Sequence, residues 1–234
     1  MIRKFGFTPL CAALTLAVFS CQPPTDSENP GSKPDSSQVT SQNSPSRKPG
    51  IADDYLNTNR VIWQKPDLVL EIIGDLSEKT VADIGAGTGF FSLRLAPLSK
   101  KVIAIDIDQR FVNYLDSIKM RELGPELQSR LETRLAAPDN PKLNPGEADV
   151  IIIVNTYIYL KNRVGYLQTL KNGLSEGGKL LIIDFKKKRM PVGPPQDIRV
   201  PLFQAEEELY QAGYRDIITN DTSLDYQYII TAQK

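Results

Sequence analysis

The sequence predicts an α/β fold built on a parallel sheet, and three observations carry that prediction. The β-type run of residues 80–84 leads into Gly85, Gly87 and Gly89 and then into the helical apolar spacing of Phe91, Leu93, Leu95 and Ala96. A second apolar run, residues 101–105, ends in a carboxylate, Asp106. Residues 148–154 centre on Val150-Ile151-Ile152-Ile153-Val154, a run with no polar face, as a strand buried on both sides requires.

Length and composition bound the organisation. The 234 residues suit one globular domain plus an appendage. Lys and Arg total 28, as do Asp and Glu, so no basic footprint for nucleic acid is expected. There is no histidine, and the only cysteines are Cys11 and Cys21. A metal site and a disulfide framework are therefore not expected.

The appendage is N-terminal. Arg3 and Lys4 precede a mostly apolar stretch, residues 10–19, too short to span a bilayer and proportioned like a signal peptide. Val18-Phe19-Ser20-Cys21 resembles a bacterial lipobox, although Phe19 is a less usual occupant than Ala or Ser. The alternatives are an ordinary signal peptide with an incidental cysteine, or an uncleaved anchor. The lipobox reading makes residues 1–20 a signal peptide and Cys21 a lipidated anchor in the bacterial cell envelope; several acyl chains hold a membrane where one does not. Residues 22–50 are Pro, Ser, Thr, Asn, Gln and a few charges, with Val39 the sole branched aliphatic, and read as a disordered tether spanning roughly 30 Å.

The folded domain, residues 51–234, is expected to begin near Ile51 to Tyr55. Leu68, Val69, Leu70, Ile72, Ile73 and Leu76 form a dense helical pattern, with Pro66 suited to its first turn. Trp63 is either core filler or a lid over a ligand pocket. In the turn after residue 84, one glycine reverses the chain and another lets backbone approach a ligand, while free N–H groups at the following helix start face an anion. Asp106 ends the second strand 17 positions beyond Gly89, placed to accept hydrogen bonds from both hydroxyls of a ribose. Asp108 is the weaker candidate and suits a helix cap.

The dinucleotide pattern G-x-G-x-x-G/A fails, because its third small position falls on Phe90. What stands here is Asp83-Ile84-Gly85-Ala86-Gly87-Thr88-Gly89, which resembles motif I of the class I, Rossmann-like S-adenosylmethionine-dependent methyltransferases. The similarity runs from about Arg60 to Tyr228 and is greatest to a small uncharacterised bacterial group. It is carried by Trp63-Gln64-Lys65-Pro66, the glycine motif, Pro138-Asp139 with Pro141-Lys142-Leu143, and Val192-Gly193-Pro194-Pro195.

The resemblance implies a seven-stranded, mostly parallel sheet with helices on both faces and an antiparallel final strand. It implies S-adenosylmethionine as cofactor, held by Asp83, Gly85, Ala86, Gly87, Gly89, Asp106, Ile107, Asp139 and Asn155. Asp139, after the third strand at residues 130–135, falls where the adenine amino group is bound; a turn-forming Asp among prolines is the alternative.

Asn155-Thr156-Tyr157-Ile158-Tyr159 departs from the related group, where the same segment carries an Asp and then Tyr-His-His. The Gly193-Pro194-Pro195-Gln196-Asp197-Ile198-Arg199 stretch likewise lacks the group's histidine. Methyl transfer from a sulfonium is an in-line displacement, so positioning does most of the work and a base is needed only for a poor nucleophile. Asn155 and Tyr157 are the weak catalytic candidates, Tyr157 through its ring facing a sulfonium or simply as packing.

The remaining elements are a helix through Val164, Leu167, Leu170 and Leu174, stopped by Gly177-Gly178; a strand at 179–185; a solvated Lys186-Lys187-Lys188-Arg189 loop able to touch anionic lipid; a helix at 201–212; and strands at 215–220 and 226–231. The reading is methyl transfer to an unidentified acceptor. Its competitors are a non-catalytic adenosyl-ligand-binding or scaffold lipoprotein, favoured by the missing histidines, and a nicotinamide-dependent oxidoreductase.

Overall fold

The computed structural model describes residues 59–234. The signal peptide, Cys21, the tether and the domain start near Ile51 lie outside the described residues. The chain runs α1 (Arg60–Gln64), α2 (Pro66–Ile73), β1 (Thr80–Ile84), α3 (Ser92–Leu95), β2 (Lys101–Asp106), α4 (Gln109–Glu122), α5 (Pro125–Gln128) and β3 (Leu131–Leu135). It continues through β4 (Ala148–Val154), α6 (Arg163–Gly173), β5 (Leu174–Phe185), α7 (Leu202–Gln211), β6 (Arg215–Asn220) and β7 (Gln227–Gln233).

The seven strands form one sheet in the order β3-β2-β1-β4-β5-β7-β6. The first five pair in parallel; β7 pairs antiparallel with both β5 and β6. Strand alternation divides β4 between two cores, and both are apolar: Ile151 and Ile153 face α6 and α7, while Val150, Ile152 and Val154 face α2, α3 and α4. Helices thus cover both faces. Pro66 occupies the first turn of α2, where its missing N–H costs nothing.

The largest boundary difference from the sequence expectation is at the α6–β5 junction; β3, α7 and β7 differ by one or two residues. The sixth helix ends at Gly173, and Leu174 already belongs to β5, where it pairs with Ala148. Gly177 and Gly178 sit in a bulge of β5, between the Ala148–Leu174 and Val150–Lys179 pairs. The glycines interrupt a strand rather than stop a helix; Gly177 takes φ of 72° to do so.

Successive crossovers leave β1 in opposite directions towards β2 and β4, so a crevice opens at the carboxyl ends of β1 and β4, where ligands of open α/β sheets bind. Close packing holds this point. A Cβ on Gly85 would lie 2.3 Å from Thr156 Oγ1, so the turn after β1 and the loop after β4 touch only because Gly85 has no side chain.

Candidate functional site

A cavity of about 900 Å³ fills that crevice. Its wall takes Gly85, Ala86 and Gly87 from the turn after β1, Asp106 and Ile107 from the end of β2, Asp139 from the turn after β3, and Asn155 from the end of β4. Seven of the nine residues expected to hold a cofactor therefore converge from four strand ends. Asp83 and Gly89 are the exceptions.

Asp83 is buried on β1 and receives a 2.6 Å hydrogen bond from Ser92 Oγ. Burial pushes its carboxyl up to about 6, against the Ser92 bond and the nearby Arg60 guanidinium. It braces the turn from behind. Gly89, with φ of 82°, packs on α4: a Cβ there would lie 2.3 Å from Leu115 Cδ2. Both residues shape the motif without lining the cavity.

The glycine turn spends its amides differently from the expected anion cradle. Gly85 and Ala86 N–H both donate to the Ile105 carbonyl, at 2.8 and 3.0 Å. Gly87 N–H donates to Asp106 Oδ2 at 2.8 Å, and α3 is a single turn beginning only at Ser92. These three turn amides are thus tied into the fold. Asp106 also accepts Asp108 N–H on Oδ1 at 2.9 Å. Each carboxylate oxygen keeps a further lone pair for a hydroxyl. Asp108 caps α4 through the Arg110 amide, at 2.9 Å.

Positive charge comes instead from Arg60, which sequence reading did not single out. Its guanidinium lines the cavity and lies 4.1 Å over the Phe90 ring, whose other neighbour at 4.1 Å is the Arg94 guanidinium. Burial lowers the Arg60 pKa to about 10, while Asp83 favours its charged form. Phe90, the residue that breaks the dinucleotide pattern, is therefore the platform for two cations. Arg60 stands at the start of α1 between polar Asn59 and apolar Val61, and no sequence signal marked it.

Asp139 sits in a turn that lies at the cavity wall. The Ala137 and Asn140 backbones exchange hydrogen bonds at 3.0 and 3.1 Å, and the turn they close presents an exposed Asp139 at the cavity wall.

Asn155 takes a left-handed φ of 58°, a conformation Asn tolerates better than most residues. Its Oδ1 accepts from Gln227 Nε2 and, at 3.5 Å, from Gln64 Nε2. Tyr157 corrects the expectation of a ring facing a sulfonium: it is fully buried, absent from the cavity wall, and donates its hydroxyl to Glu208 at 2.5 Å. Residues Tyr157–Tyr159 form a single 3-10 turn, in which positions two apart point in different directions, so Tyr157 turns inward while Tyr159, 62% exposed, lines the cavity. Trp63 is core: it packs 5.5 Å from the Phe185 ring and does not line the cavity.

A glycine turn after β1, an acid ending β2 and an antiparallel β7 inserted between β5 and β6 define a Rossmann-like fold. Comparison with known proteins agrees: residues 82–180 match the family described as "Methyltransferase domain". A crystal structure of an S-adenosylmethionine-dependent methyltransferase from Aquifex aeolicus superposes with a TM-score of 0.71 at 24% identity, covering 80% of this chain and 98% of that one. Among curated relatives, chondramide synthase cmdD of Chondromyces crocatus is 30% identical over 112 residues, 46% of this chain and 3% of that protein. Ribosomal RNA small subunit methyltransferase A of Koribacter versatilis (strain Ellin345) is 28% identical over 137 residues, 58% of this chain and 39% of that protein. The chain thus spans well under half the length of these two curated relatives.

Proposed function

We propose that this protein transfers the methyl group of S-adenosylmethionine to a small acceptor bound beside Asn155 and Tyr159. The carrying observation is Asp106: it ends β2, keeps a lone pair on each oxygen, and lines one cavity with the glycine turn and Asn155. The residues present fit the cofactor. The cavity is large enough for a nucleoside and more, Asp106 suits the ribose hydroxyls, and Ile107, 59% exposed, offers an apolar surface for a base. Asp139 suits the adenine amino group, and Arg60 suits the amino-acid carboxylate. When bound, S-adenosylmethionine supplies an electrophilic methyl group on a sulfonium sulfur. The protein's share is then positioning and exclusion of water.

The cellular setting belongs to the same proposal. Residues 1–20 act as a signal peptide, Cys21 carries the lipid, and residues 21–50 tether the methyltransferase domain, residues 51–234, to the cell envelope. The support is the Val18-Phe19-Ser20-Cys21 sequence, with no further cysteine after Cys21 in the sequence.

The Asp106→Ala variant tests the site. Losing a charged acceptor of two hydroxyls is expected to weaken S-adenosylhomocysteine binding by about 2–4 kcal/mol, thirtyfold or more, in calorimetry. Unchanged affinity would move the ribose elsewhere. A non-catalytic adenosyl-ligand-binding lipoprotein is the second reading, favoured by Ile158 and Tyr159, which stand where the related group carries histidines. Binding without turnover over a panel of acceptors would select it.

A further inference from the structure

Four side chains from three separate parts of the chain form one hydrogen-bonded relay ending at the cavity. Arg60 Nε donates to Gln64 Oε1 at 2.5 Å. Gln64 Nε2 donates to Gln227 Oε1 at 3.0 Å, and Gln227 Nε2 donates to Asn155 Oδ1. Arginine can only donate, so the Gln64 oxygen must face Arg60. That leaves the Gln64 amine towards Gln227, which must answer with its oxygen. The Gln227 amine is then left for Asn155, which must also answer with oxygen. Each orientation follows from the one before, with the donor-only guanidinium at the head. Gln64 and Gln227 are both fully buried, so bulk water does not compete for these contacts.

The end of the relay is chemically one-sided. Asn155 Oδ1 is spent on the two glutamines, and Nδ2, which has no protein partner among the described residues, is the polar group Asn155 has left for the cavity it lines. An Asp at this position would offer the cavity a base and a negative charge; this Asn offers N–H donors only. Lys161 and Arg60 add positive charge to the same wall, while the acidic lining residues are Asp106 at the end of β2, Asp108 just after it and Asp139 after β3.

We propose that Asn155 is a specificity-determining residue that donates to the methyl acceptor, so that the site takes an acceptor arriving as an anion, a carboxylate in the simplest case, and rejects an ammonium. Gln64 and Gln227 are positioning residues for it. The inference rests on the methyl-transfer reading above. With one carboxylate oxygen held by Asn155, the other attacks: its lone pair forms the bond to the methyl carbon, and the carbon–sulfur bond breaks with its electrons going to sulfur. The anion and the sulfonium both end neutral. No proton has to be removed, which suits a chain without histidine.

The test uses the full-length protein saturated with S-adenosylhomocysteine and titrated separately with benzoate and benzylammonium. The signal is the Asn155 side-chain NH2 pair in amide correlation spectra, identified by its loss in Asn155→Asp. Benzoate is expected to move the pair saturably and benzylammonium to leave it in place. Gln227→Glu replaces the donor by an acceptor, turning the Asn155 amine inward and its oxygen to the cavity; the benzoate-to-benzylammonium affinity ratio is expected to fall at least about tenfold. A pair moved by benzylammonium and not benzoate, a pair moved by neither, or an unchanged ratio in Gln227→Glu would each overturn the proposal. Failure of S-adenosylhomocysteine to bind in calorimetry would remove the methyl-transfer reading itself; binding with the wrong probe preference removes this inference alone.

Discussion

Asp184 shows how a single residue near the site writes itself into the protein's pH dependence. It is fully buried at the end of β5, with Phe185 N–H donating at 2.7 Å and Ile158 N–H at 3.2 Å. Burial outweighs those bonds and pushes its carboxyl up to about 7. The native state therefore keeps a proton that the unfolded chain, titrating near 3.8, has lost. Between those values the native form binds more protons, so stability falls as pH rises through the interval and stays lower above it. Wild type is expected to lose about 3 kcal/mol more than Asp184→Asn between pH 5 and pH 8 in urea unfolding. Parallel pH profiles for the two proteins would show that Asp184 titrates normally.

Residues also differ in how far they could be read from sequence. Asp106, Gly85 and Gly87 were legible because strand, turn and carboxylate lie within about thirty residues and have one physical role each. Gln64 and Gln227 were not: they meet at 3.0 Å across 163 positions, and neutral amides leave no mark of spacing or charge. Arg60 left no mark either, standing between polar Asn59 and apolar Val61. Its place above Phe90 depends on how α1 packs.

At the scale of elements, strands were read best where burial dictates composition. The bounds of β1, β2 and β4 agree with expectation, because a strand covered on both faces is mostly apolar; those of β6 agree too, although it is largely exposed. The α6–β5 junction was misread because two glycines after an amphipathic run fit a helix stop and a strand bulge equally. Pairing of Leu174 with Ala148 decides between them.

The α6–α7 contact was also invisible in sequence. Arg163 binds both Glu208 oxygens at 2.7 Å, and Tyr157 donates to the same carboxylate. Desolvation would raise the Glu208 pKa, but Arg163 and Tyr157 hold it below the usual range. Removing the carboxylate strands a buried hydroxyl and a partly buried guanidinium. Glu208→Ala is expected to cost about 3 kcal/mol in denaturant unfolding. A change within 0.5 kcal/mol, the range of ordinary surface substitutions, would mean the cluster does not tie α6, α7 and the β4 loop together.

For the whole molecule, the Rossmann-like sheet explains why one cavity collects residues from four strand ends. The same sheet serves many chemistries, so the acceptor must be argued from Asn155 and its neighbours rather than from topology. No helix among the described residues is long and apolar enough to cross a membrane. On the lipoprotein proposal Cys21 is then the attachment. Cys21→Ala is expected to shift the protein from the membrane pellet to the soluble fraction of an envelope preparation; retention in the pellet would require another anchor.

The central claim is that the glycine turn, Asp106 and Arg60 together form an adenosyl-methionine site. Calorimetric titration of the full-length protein with S-adenosylmethionine, S-adenosylhomocysteine and NAD tests it most directly. Saturable binding of both adenosyl ligands at one site, without binding of NAD, is the expected result. Binding of neither adenosyl ligand would contradict it.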